Sequence, residues 1–107
     1  MAFKHKELAA GRWFELSLKE QMGNIGSEVS RAGRWQNKDE KLFWGAVERA
    51  LELFDLTLAD PRWKGRRREI ARAREVFCDA VYGGKEYKSS FQNLQPYFDQ
   101  FAFAARI

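Results

Sequence analysis

Apolar residues recur at steps of three and four through most of the chain, and no segment alternates apolar with polar residues as a strand would. Four helices follow from that pattern. Ser17-Leu18-Lys19-Glu20 reads as a capping box, in which hydroxyl and carboxylate each take the other residue's amide. Leu18, Met22, Ile25, Val29 and Ala32 then form one stripe of a helix expected to run to about Trp35. Gly23, Gly26 and Ser27 are poor helix formers, and their small size predicts a close helix-helix approach.

Asn37 to Glu40 repeats the cap signature, with Asn37 as the capping residue. The helix after it, Asp39 to Ala59, is the most apolar of the four. Its stripe of Phe43, Val47, Ala50, Leu51, Phe54 and Leu58 is widened by Trp44, Ala46, Leu53 and Thr57. A face that wide must meet more than one neighbour. Leu56 projects on the opposite side, between Arg49 and Glu52, as an ordinary exposed leucine or an oligomer contact.

Asp60-Pro61 ends this helix and caps the next, since proline is tolerated at a first helical position. Gly65 weakens the first turn, so regular helix is expected from about Arg66. Trp63, Ile70, Ala73, Phe77, Ala80 and Val81 make the inward stripe, and Gly83-Gly84 terminates it. Ser89 to Gln92 is a third capping box, followed by Phe91, Leu94, Phe98, Phe101, Ala102 and Ala105. Pro96 removes a backbone donor, so the last helix either kinks there or starts afresh.

Short connections between amphipathic helices predict an all-α fold, an up-down-up-down antiparallel four-helix bundle. The chain of 107 residues allows one domain, residues 13–107, anchored by Trp13, Phe14 and Leu16. Residues 1–12 read as a mobile or loosely docked arm. No apolar run approaches a membrane span, and the arm lacks the continuous apolar core of a secretory signal. The single cysteine, Cys78, fits a reducing compartment. A cytoplasmic protein is expected, with no membrane partner.

Charge changes the picture more than composition does. The formal net charge is only +4. From Lys38 to Asp60, however, three basic and six acidic residues leave −3, while from Arg62 to Arg74 seven basic residues and one acid leave +6. Two adjacent helices whose flanks attract each other would explain part of this, at no more than about 1 kcal/mol per exposed pair. Yet Arg62, Lys64, Arg66, Arg67, Arg68 and Arg72 cover more of the circumference than one acidic neighbour can answer. They also crowd a helix start, where the macrodipole disfavours cations. Lys64, Arg68 and Arg72 are spaced by four on the outward side, and the arginine fork suits phosphate oxygens. These six are the candidate nucleic-acid-binding residues. Trp63 would stack on a base if exposed, although the stripe puts it inside.

Catalytic chemistry finds little support. The lone His5 sits in the arm, far from any nucleophile in sequence. An acid adjoins Cys78, which would raise its thiol pKa, so it reads as a packing residue. Glu48, Glu52 and Asp55 share a helix without an accompanying Glu-x-x-His, so no metal site is expected. Gly83-Gly84 is not followed by the Lys-Ser/Thr pair of a phosphate loop, and no cofactor is implied. Glu28 and Arg74 are placed to form a partly buried ion pair that fixes helix register.

Four stripes, short turns and basic character resemble two related groups: the ribosomal-RNA intervening-sequence proteins and the accessory variability determinant of diversity-generating retroelements. The resemblance covers most of the chain at the level of architecture and carries over no functional residue. It implies a ring-forming basic bundle that binds RNA and a reverse transcriptase. Helical ribonucleases of the HEPN type look superficially similar, but their Arg-x(4-6)-His motif is missing. The expected function is thus a non-catalytic RNA- or polyanion-binding subunit, the expected partners being RNA or single-stranded nucleic acid and further copies of the chain. The alternative is an adaptor or antitoxin-like bundle whose basic patch meets an acidic protein.

Overall fold

The computed structural model describes residues 11–85 and 90–106; His5, Ser89 and the side chains beyond Phe101 lie outside the description. Within it four α-helices pack together: α1 (Leu18–Trp35), α2 (Glu40–Leu58), α3 (Arg67–Val81) and α4 (Phe91–Arg106). Two 3-10 turns, Arg12–Glu15 and Pro61–Arg66, precede α1 and α3. The described residues include no strand.

Helix ends follow local chemistry. The Ser17 hydroxyl accepts from the Glu20 amide at 3.1 Å, and the Glu20 carboxylate accepts from the Ser17 amide at 3.0 Å. Those bonds hold the Glu20 carboxyl below its usual range. The cap of α2 is Asp39, which accepts from the Leu42 amide at 3.0 Å, and not the expected Asn37. Asn37 has φ 63° and makes the turn instead, a left-handed conformation that its short polar side chain tolerates. The α4 cap is shifted by one: Ser90 and Asn93 exchange side-chain-to-amide bonds at 2.9 and 3.2 Å. From there α4 continues as one helix through Pro96, with no restart. Gly83 and Gly84 end α3 with φ 101° and 75°, as only glycine does freely.

The core is a phenylalanine cluster. Phe54 and Phe77 are fully buried, and the Phe54 ring lies 5.9 Å from Phe77 and 6.1 Å from Phe98. Phe91 meets Phe43 and Phe77 edge-on at 6.1 and 6.0 Å, the favourable geometry for ring quadrupoles. Small residues close the seam between α1 and α4. A Cβ on Gly26 would sit 2.7 Å from the Cβ of Phe98, and one on Gly33 would sit 3.0 Å from that of Phe91.

Two expected placements fail. Leu56 is 6% exposed, so it is no surface leucine. It lies one turn from Glu52 and two from Arg49, whose Nε reaches Glu28 of α1 at 3.1 Å; this flank of α2 faces a neighbour. Glu28 therefore pairs with Arg49, and with Arg31 at 2.6 Å, rather than with Arg74. Arg74 instead reaches Asp55 of α2 at 3.1 Å, because α3 borders α2 there.

Candidate nucleic-acid interface

Asp60 divides the basic stretch into an inner and an outer part. Its carboxylate is 1% exposed and accepts from the Arg62 amide at 3.0 Å, as the cap of the turn that Pro61 opens. Arg62 then folds back on it: Nε lies 3.0 Å from Oδ1 and Nη2 lies 2.7 Å from Oδ2, a two-pronged grip. The same Nη2 donates to the Leu16 carbonyl at 2.6 Å, tying this turn to the segment before α1. These guanidinium bonds hold the Asp60 carboxyl below its ordinary range, against burial, which pushes it up.

Gln21 completes this hub. Buried on the apolar stripe of α1, it donates through Nε2 to the Trp13 carbonyl at 3.0 Å and to Asp60 at 3.2 Å. Its Oε1 accepts from the indole of Trp63 at 2.7 Å. Trp13, itself buried, donates to the Thr57 hydroxyl at 3.0 Å. Trp63 is thus half-buried with its N–H already satisfied, and the Arg62 guanidinium sits 4.5 Å from its ring centre. It offers no free face of the kind a base would need on that side.

Arg62 is consequently engaged within the fold through its guanidinium, while 40% of its side chain stays exposed. The spacing of Lys64 with Arg68 and Arg72 needs correction. Trp63, at φ −101° and ψ 22°, breaks helical geometry, so Lys64 belongs to the 3-10 turn and only Arg68 and Arg72 share a face of α3. Arg66 pairs with Glu69 at 3.0 Å, and Arg67 donates through Nε to the Leu58 carbonyl at 3.2 Å, satisfying an orphan group at the end of α2. Lys64, Arg66, Arg67, Arg68 and Arg72 are all exposed. Among the described residues, the side chains of Lys64 and Arg68 make no hydrogen bond or ion pair. The capping residue of α3 is Arg66, whose side chain makes no cap bond, so cations occupy the place where acids stabilise a helix start.

Beside this run the surface changes from charged to apolar. Ala73, Val76, Leu94 and Tyr97 line a groove of about 340 Å³ between α3 and α4, with Glu69 and Arg72 on its rim. Burial, then the negative charge of Glu69, push the Tyr97 phenol up and keep its proton on. Sequence reading missed this groove because Ala73 and Leu94 fall on stripes assigned wholly to the core. Gln21 was missed too, although a glutamine between Leu18, Met22 and Ile25 on one stripe is the available signal.

The remaining candidates show little chemistry. Cys78 is half-buried, and burial first, with Asp55 and Glu75 adding, raises its thiol while Arg74 opposes. Among the described residues no three His, Cys, Asp or Glu side chains converge as a metal site would. No helix of the described residues is long and apolar enough to cross a membrane. Exposed large apolar side chains gather elsewhere, at Leu42, Trp44 (38% exposed) and Tyr82 (71% exposed); the Trp44 and Tyr82 rings lie 6.1 Å apart.

No protein-family model, curated protein or solved structure matches the chain. Its function is read from these residues alone.

Proposed function

We propose that the protein is a non-catalytic, cytoplasmic bundle subunit that binds RNA or single-stranded nucleic acid, within a ribonucleoprotein or retroelement-type complex. Its contact surface is Lys64, Arg67, Arg68 and Arg72, with Arg66 at its edge. The observation that carries this reading is the outward run itself. The side chains of Lys64 and Arg68 are exposed and without a bond among the described residues, beside a helix start whose dipole they oppose. A polyanion laid across them relieves that conflict.

The frame behind the surface is the up-down-up-down antiparallel bundle. Three runs of contacts support it, each rising along one helix as it falls along the next. Gly26 meets Phe98 and Gly33 meets Phe91 between α1 and α4. Gln21 reaches Asp60 just beyond α2, whereas Glu28 reaches Arg49 within it. Asp55 meets Arg74 near the middle of α3, whereas Leu58 meets Arg67 at its start. Self-association is proposed through the exposed Trp44 and Tyr82 pair, since Leu56 is buried and not available for it. Light scattering at micromolar concentration checks this: the wild type should exceed the monomer mass, and Tyr82→Ala should shift it downward.

The binding test is a salt titration with a labelled single-stranded RNA. Neutralising about four phosphates predicts a log-log slope near −3. Absence of binding near physiological salt would sink the proposal.

A further inference from the structure

We infer that the groove between α3 and α4 is a base pocket, which takes one unstacked base of a single-stranded nucleic acid whose phosphates lie on Arg68 and Arg72. This rests on the proposed function and gives its partner a form. Arg72 is at once a member of the basic run and a rim residue of the groove, so charge and cavity are continuous. Its floor and walls are Ala73, Val76, Leu94 and the ring of Tyr97, and its volume of about 340 Å³ is within the range of small-ligand sites. A base is the part of a nucleic acid that is flat and apolar on its faces and polar only at its edge. Such a strand needs cations and an apolar, aromatic-walled slot side by side.

The exposed lining of the groove is apolar, and the Glu69 carboxylate beside it is held by Arg66 at 3.0 Å, so a base is taken by its face. The groove lies between α3 and α4, away from the seam that Gly26 and Gly33 close between α1 and α4. A duplex keeps its bases stacked inside and cannot fill the slot, so single strands should be preferred.

Three twelve-nucleotide RNAs test this by fluorescence anisotropy: a cytosine- and adenine-rich single strand, its duplex, and an abasic strand with the same phosphates. Val76→Phe fills the groove without changing charge. It should weaken the single strand about tenfold, as expected for the loss of one stacked base, and leave both the abasic strand and the salt slope unchanged. Tyr97→Leu, which keeps the volume apolar, should act in the same direction and guards against a Val76→Phe protein that fails to fold. Wild-type protein that binds abasic and normal strands alike, or variants that bind as the wild type does, would overturn the pocket and leave the phosphate surface standing. No binding of any strand by wild type would overturn both.

Discussion

The turn from Asp60 to Trp63 and the run from Lys64 to Arg72 carry the same kind of side chain into opposite surroundings. In the turn, Arg62 spends its donors on a buried carboxylate and a backbone carbonyl, and Trp63 on a buried glutamine. In the run, Lys64 and Arg68 project into solvent with no partner among the described residues. Two positions separate Arg62, a cation that holds the fold, from Lys64, one that does not. The difference teaches that charge density alone does not mark a binding surface; what each donor already touches does.

The comparison can be broken from the inside of the molecule outward. Phe54→Ala sets the scale, since it empties the centre of the phenylalanine cluster and should cost about 3–5 kcal/mol in urea unfolding. Arg62→Ala should follow with a smaller but measurable loss, because it leaves the buried Asp60 carboxylate without its strongest donor while the Arg62 side chain itself is partly exposed. A loss under about 0.5 kcal/mol would mean that the hub is incidental.

Acidity sharpens the same contrast. The folded-state pKa of Asp60 lies below its unfolded value, so its stabilisation is fully present above about pH 5 and is lost as pH falls through the depressed pKa. Removing the guanidinium lets that pKa rise, and Arg62→Ala should therefore show a flatter acid limb between about pH 5 and pH 2. An acid limb as steep as that of wild type would assign the depression to other groups. Arg68→Ala should leave the limb where it is.

Much of the fold was legible in the sequence. Steps of three and four located all four helices, and the Ser17 box, the Asp60-Pro61 cap and the Gly83-Gly84 stop depend on neighbours within a few positions. Gly26 was readable as a close-approach residue, though its partner Phe98 was not. What failed depended on which helix stands beside which. Leu56 looked exposed until Arg49 showed that its flank faces α1, and Glu28 has two arginine partners other than the one expected. The site divided along the same line. Six cations were visible in sequence as one cluster, but the return of Arg62 onto Asp60 and the break at Trp63 are tertiary facts. The groove needed the distance between α3 and α4, which no stripe encodes.

The most direct test measures two quantities on two proteins, Arg62→Ala and Arg68→Ala: unfolding free energy in urea, and the salt dependence of single-stranded RNA binding. The account predicts that Arg68→Ala keeps its stability within about 0.5 kcal/mol and loses somewhat less than one unit of slope, for every sequence alike. Arg62→Ala should do the reverse, losing stability while a folded fraction binds with the wild-type slope. Arg68→Ala that unfolds more easily, with no RNA bound by either variant or wild type, would contradict the account and make the outer run part of the scaffold.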